Sequence, residues 1–139
     1  MEKIEEARQF AEKAHEGQLD RGGCAYIEHP RAVAEKVDGE TEKIVACLHD
    51  TVEDTEVTVD QIREMFGDEV ADAVAVLTRD KGEPYMDYVR KIKGNEIARK
   101  VKLADLSHNM DVSRLSIITD ADWMRVKKYK KAYDFLSED

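Results

Sequence analysis

Apolar residues recur every three to four positions along most of this chain, and glycine or proline interrupts them often enough to separate one helix from the next. Ile4, Ala7, Phe10, Ala11 and Ala14 share one face of an opening helix predicted over residues 3 to about 16, stopped at Gly17. The next stretch, GQLDRGGCAYIEHP, holds three glycines and ends in proline. It marks a structured loop, with Pro30 placed to start a second helix through Val33 and Val37 to Gly39. From Glu42 to about Asp50 the pattern resumes with Ile44, Val45, Cys47 and Leu48, a broad apolar face that suits a central, enclosed helix.

Thr58 followed three residues later by Gln61 is a capping-box signature ahead of Ile62, Met65 and Phe66, and Gly67 closes that short helix. Asp68 is placed to cap the next one, which uses Val70, Val74 and Leu77. After the break at Gly82 and Pro84, Tyr85, Tyr88, Val89 and Ile92 fit one stripe that ends near Gly94. Ile97, Val101, Leu103 and Ala104 then lead into LADLSHNM. A last helix from about Asp120 takes Trp123, Val126 and Phe135 as apolar anchors, with Trp123, Tyr129 and Tyr133 read as its core face in preference to a subunit contact. Alternation with period two is absent, so the expected fold is an all-α bundle of about seven helices.

At 139 residues the chain has the size of one domain, expected over 1–139. Only two prolines and seven glycines accompany a composition that is 42% hydrophobic and 38% charged, which describes a helix-rich globule and not a disordered or fibrous chain. The 31 acidic residues outnumber the 22 basic ones, for a net charge of −9. Such a chain has little with which to neutralise a phosphate backbone, so a nucleic-acid polymer is not an expected partner. No stretch approaches the roughly 20 apolar residues that cross a membrane, and the N-terminus lacks the apolar segment of a signal peptide; a cytoplasmic location is expected. Cys24 and Cys47 lack metal-ribbon spacing and read as free thiols.

Candidate chemistry enters at three places. His29 lies in YIEHP, His49 and Asp50 lie in LHDTVED, and Asp105 lies in KLADLSHNM, each beside apolar residues that would hold it near the core. Imidazole nitrogen combined with carboxylate oxygen suits a borderline-hard divalent ion such as Mn²⁺, Fe²⁺ or Zn²⁺, and a set without cysteine is unlike a structural zinc site. Glu53 and Asp54 follow His49-Asp50 closely enough to face the same pocket if the helix unwinds there. They could then orient or deprotonate a water whose pKa the ion lowers, so that hydroxide attacks phosphorus at neutral pH. His15 reads as a helix-end or packing residue, and His108 as support or helix surface.

With those residues in view, the chain resembles the HD-domain metal phosphohydrolases, and more closely the hydrolase domain of the RelA/SpoT alarmone family and its stand-alone small homologues. The resemblance is carried by AHEGQ at 14–18, YIEHP at 26–30, CLHDTVEDT at 47–55, FGDEVADAV at 66–74 and VKLADLSHNM at 101–110, in family order across nearly the whole chain. It implies an HD-type helical bundle that binds one Mn²⁺ through His29, His49, Asp50 and Asp105, with Glu53 and Asp54 positioning the attacking water. The implied reaction removes the 3′-pyrophosphate of guanosine tetra- or pentaphosphate, giving GDP or GTP and pyrophosphate. The chain ends after the hydrolase-like helices, so no synthetase, TGS or ACT region is expected.

Two positions depart from the family pattern. Asp20-Arg21 stands where an Arg-Lys pair is usual, leaving Arg21 as the basic substrate contact, and Met110 is followed by Asp111 where arginine is usual. Each replaces a phosphate- or base-facing cation with an anion, for which Arg114, Lys102 or the metal can compensate. Asn109 remains as a ribose or phosphate contact. The alternatives are an HD phosphohydrolase acting on another phosphorylated nucleotide or dinucleotide, and a sensor that binds nucleotide without turnover. The oligomeric state is left open.

Overall fold

The computed structural model describes residues 3–16, 28–111 and 117–138, without the side chains of residues 28–30. Cys24, Arg21, Asp20 and Arg114 lie outside the described residues, as does the side chain of His29. Among the described residues there are nine helices and no strand: α1 (Lys3–Ala14), α2 (Glu28–Lys36), α3 (Glu40–Leu48), α4 (Thr51–Asp54), α5 (Val59–Phe66), α6 (Asp68–Leu77), α7 (Tyr85–Lys93), α8 (Glu96–Asn109) and α9 (Asp120–Ser137). The all-α expectation holds. The count exceeds seven partly because the turn after His49-Asp50 is a short helix of its own. No helix of the described residues is long and apolar enough to cross a membrane.

The centre of the bundle is α3. Its five consecutive residues Ile44 to Leu48 are all buried, which requires neighbours on every side, and α1, α2, α6 and α8 provide them. Against this helix α1 presents Ala7 and Ala11, both buried. The small side chains let the helix axes approach closely. Phe10 meets the ring of Phe66 edge to face with centroids 6.3 Å apart. Around α3, Val33, Ile62, Val74, Val89, Val101 and Leu106 complete the core.

Local chemistry sets most boundaries. The Thr58 hydroxyl accepts from the Gln61 amide at 3.2 Å while the Thr58 amide donates to the Gln61 side chain at 2.9 Å, closing the predicted capping box of α5. Gly67, at φ 95°, is the single residue between α5 and α6 and caps both. Asp68 is therefore the first residue of α6 and not its cap, and its carboxylate pairs with Arg63 at 2.7 Å. Asn95 caps α8 by accepting from the Ala98 amide at 3.0 Å. Thr119 and Asp122 form a second capping box at the head of α9.

The last helix buries Ala132 and Leu136 and lays Tyr129, Tyr133 and Phe135 against the core. Trp123 does not join them: it is 50% exposed. The reason is helical register, because Trp123 shares its face with the exposed Lys127 and Lys130, while the inward face runs through Tyr129, Ala132 and Leu136. Lys93 Nζ donates to the Phe135 carbonyl at 3.0 Å and Arg99 Nε to the Leu136 carbonyl at 2.6 Å. These two cations satisfy carbonyls that the end of α9 leaves without helical partners.

Candidate functional site

Helix α3 stops at Leu48, and the next two residues form a turn that delivers His49 and Asp50 to the bundle interior before α4 begins. Thr51 fixes this break. It is fully buried, and its hydroxyl donates to the Leu48 carbonyl at 2.8 Å, satisfying a group that the interrupted helix would otherwise leave bare. Glu53 and Asp54 follow on α4, so the chain does leave the line of α3 between the two halves of HDTVED.

His49 is held at both ring nitrogens. Nδ1 lies 2.6 Å from the Ala46 carbonyl, which can only accept, so Nδ1 carries a proton and donates it there. Nε2 then faces two carboxylates, Asp50 Oδ2 at 3.2 Å and Asp105 Oδ1 at 3.3 Å. The side chains of His49 and Asp105 are 3% and 5% exposed, so water screens little of this interaction. Burial works against a charged imidazole, but Asp50 and Asp105 outweigh it and hold the His49 pKa well above its ordinary value.

Asp105 reaches the site from the buried face of α8, where it is gripped by two residues of its own helix. Lys102 Nζ donates to Oδ2 at 2.9 Å and Asn109 Nδ2 to Oδ1 at 3.1 Å. The Lys102 side chain is 12% exposed. Desolvation disfavours its charge, yet Asp105 and the neighbouring Tyr88 prevail and keep its pKa well above the usual lysine value. Tyr88 in turn donates its phenol proton to the Leu77 carbonyl at 2.6 Å. The Glu53 carboxyl is partly screened from solvent, and this desolvation raises its pKa. A hydrogen bond from the Arg79 backbone opposes the shift, and nearby Asp50 and Asp54 add to it.

The residue types, imidazole nitrogen and carboxylate oxygen, are those a divalent cation takes. With Nδ1 committed to a backbone carbonyl, Nε2 and two carboxylate oxygens converge on a small volume that needs a positive centre, which a proton or a borderline-hard metal ion can supply. Here these side chains bond one another, and among the described residues no group of three or more His, Cys, Asp or Glu is arranged to hold a metal ion. His29, at the start of α2, has its backbone described and its side chain not.

Of the residues singled out in the sequence, His49, Asp50 and Asp105 come together, and Glu53 and Asp54 lie on the adjoining turn. Asn109 also joins them, bonded to Asp105. His15 is buried just beyond α1, as a packing residue would be. Sequence reasoning passed over Lys102 as a partner of Asp105, although the three-residue spacing on α8 was the available signal. Tyr85 and Tyr88 read only as a core stripe, and Arg79 and Lys128 drew no attention.

Comparison with known proteins adds three findings. A family model described as the HD domain matches residues 7–113. The bifunctional (p)ppGpp synthase/hydrolase SpoT of Escherichia coli is 36% identical over 126 residues, covering 79% of this chain and 18% of that protein. The guanosine-3′,5′-bis(diphosphate) 3′-pyrophosphohydrolase of Aquifex aeolicus is 38% identical over 120 residues, covering 79% of this chain and 17% of that one. The chain thus spans about a sixth of the length of these curated relatives. A solved structure described as a metazoan ortholog of SpoT that hydrolyzes ppGpp superposes with a TM-score of 0.80 at 25% identity, covering 99% of this chain and 86% of that one.

Proposed function

Because the chain belongs to the HD-domain family, we propose that it is a metal-dependent phosphohydrolase that removes the 3′-pyrophosphate of guanosine tetra- or pentaphosphate, leaving GDP or GTP. The observation that carries this reading is the His49 imidazole, locked on the Ala46 carbonyl and aimed at Asp50 and Asp105. Relatives named for hydrolysis of this nucleotide support the substrate. His29, His49, Asp50 and Asp105 would hold one divalent ion, Mn²⁺ in the first instance, with Fe²⁺ or Zn²⁺ able to replace it. When bound, the ion lowers the pKa of a water and offsets charge on phosphate oxygens.

The chain's own residues divide the remaining work. Glu53, whose carboxyl pKa is raised by partial burial and by Asp50 and Asp54, takes a proton from the attacking water, and Asp54 orients that water. The water oxygen bonds to the phosphorus next to O3′ as the P–O3′ bond breaks, and O3′ takes a proton from solvent to leave as the 3′-hydroxyl, balancing the proton that Glu53 accepts. Lys102 fixes Asp105 and neutralises part of its charge. Asn109 donates to Asp105 through Nδ2 and keeps Oδ1 for the substrate, while Arg21 contacts a substrate phosphate. The reading brings with it a cytoplasmic location, a small phosphorylated nucleotide as partner, and a single hydrolase domain over 1–139.

The test is product analysis on a panel of nucleotides with Mn²⁺, separating pyrophosphate from orthophosphate. GDP and pyrophosphate from ppGpp are expected. Orthophosphate from another nucleotide or dinucleotide, with ppGpp untouched, would instead favour the reading that Asp20 and Asp111 motivate. Tight ppGpp binding without product would favour a sensor.

A further inference from the structure

Three cations, Arg79, Lys102 and Lys128, gather around two tyrosines beside the Asp105 cluster, and a fourth, Arg125, is close enough to act on Lys128. Arg79 follows α6, Lys102 lies on α8, and Arg125 and Lys128 lie on α9, while Tyr85 and Tyr88 come from α7. Lys128 Nζ stands 4.2 Å from the centre of the Tyr85 ring and the Arg79 guanidinium carbon 5.4 Å from it. Lys102 Nζ is 5.2 Å from the Tyr88 ring, whose centre is 5.9 Å from that of Tyr85. Cation–π attraction accounts for part of this grouping. It does not balance the charge.

Two of the four have acidic partners, Lys102 on Asp105 and Arg125 on Asp122. Arg79 directs Nε and Nη2 to the Glu83 carbonyl at 2.9 and 2.6 Å, while the Glu83 carboxylate is paired with Lys91 at 2.6 Å. Lys128 has neither a hydrogen bond nor an ion pair with any described residue. Partial burial and the repulsion of Arg79, Lys102 and Arg125 depress its pKa below the ordinary lysine value. The buried Tyr85 hydroxyl likewise has no hydrogen-bond partner among the described residues. Lys128 is exposed and so open to a ligand, and in a chain of net charge −9 an anion bound there would complete a group of cations that stands beside a buried, unsatisfied hydroxyl.

We infer that Lys128 and Arg79, grouped at the Tyr85 ring, form a subsite for the terminal diphosphate of a nucleotide, distinct from the phosphate that reacts beside His49 and Asp105. Arg79 offers planar donors and Lys128 a compact point charge, both suited to phosphate oxygen, and Tyr85 contributes its hydroxyl. Lys102 joins the two regions, since its ammonium bonds Asp105 and lies over Tyr88. The inference rests on the hydrolase reading and deepens it: the preferred substrate is phosphorylated at both ends, and a nucleotide lacking the distal diphosphate binds less tightly.

The test is calorimetric titration of EDTA-treated protein with GDP, which has no 3′ phosphate to hydrolyse, and with guanosine. Lys128→Gln is expected to weaken GDP binding about tenfold and leave guanosine binding unchanged, as expected for loss of one charge-assisted contact. Lys128→Arg should restore GDP affinity to within about twofold of wild type, and Lys131→Gln, on the exposed face of α9, should not alter it. Thermal melts of all variants establish that they fold. Undiminished GDP affinity in Lys128→Gln, or wild-type protein that binds GDP no better than guanosine, would overturn the subsite. Pyrophosphate release from ppGpp by the same wild-type preparation with Mn²⁺ keeps the two readings apart. Its absence alongside Lys128-dependent GDP binding contradicts the hydrolase and leaves the subsite standing, whereas its presence with Lys128-independent binding contradicts the subsite alone.

Discussion

Replacing Lys102 with methionine tests whether the buried pair with Asp105 is a structural element of the site. Methionine keeps most of the aliphatic stem and removes the ammonium, so packing beside Tyr88 is largely retained. The carboxylate is 5% exposed and loses a donor at 2.9 Å, and removing one partner of a buried pair costs about 3–5 kcal/mol. Asp105 still accepts from Asn109 and faces His49, which places the expected loss near the lower end, about 3 kcal/mol. In urea, with a slope of about 2 kcal/mol per molar, the unfolding midpoint falls by about 1.5 M. The assay is urea unfolding in EDTA, followed by far-ultraviolet circular dichroism. A double-mutant cycle with Asp105→Asn should return a coupling of about 1.5–3 kcal/mol, the range for a hydrogen bond to a charged group. A loss below about 1 kcal/mol with no coupling is the behaviour of a solvated surface pair and would refute this reasoning.

Other expectations follow from single features of the fold. Thr58→Ala removes one half of the α5 capping box and should destabilise the protein by about 1 kcal/mol in the same denaturation assay. Leu48→Ala, at a fully buried position immediately before His49, should cost about 3 kcal/mol. Burial raises the pKa of the Cys47 thiol, although Arg8, His49 and Lys43 pull it the other way. The folded state therefore disfavours the thiolate. In a Cys24→Ser background, native alkylation at pH 8 should run at least about tenfold slower than in denaturant. The native rate should also keep climbing with pH beyond the point where an exposed thiol levels off, and equal native and denatured rates would contradict the assignment.

Much of the fold was legible because glycine, proline and capping residues break the apolar stripes where the helices end. Thr58 with Gln61 located the start of α5 from the sequence alone, and Gly67 its end. Periodicity put the end of α3 at about Asp50 but did not show that a separate short helix follows, because Val52 continues the same stripe four residues after Leu48. That break depends on the Thr51 hydroxyl, a local bond to the Leu48 carbonyl that apolar periodicity does not register, and on contacts from α8, which are tertiary. Trp123 was misassigned to the core because size and apolarity identify a residue suited to burial without fixing the register in which α9 packs. In the site, histidine and carboxylate identities flagged His49, Asp50 and Asp105, since those side chains are chemically unusual in an interior. Lys128 resembled the many other lysines of a charged chain, and although Lys102 stood out as a cation able to offset Asp20 or Asp111, only packing shows that it bonds Asp105.

The most direct measurement of the central claim is pyrophosphate release from ppGpp with saturating Mn²⁺, compared between wild type and two folded variants, His49→Ala and Asp50→Ala. The account predicts one pyrophosphate for each GDP formed by wild type, and a rate at least about a hundredfold lower in both variants, since each removes a group that would hold the ion responsible for water activation. Wild-type rates in either variant, or ppGpp left intact by wild type, would contradict it.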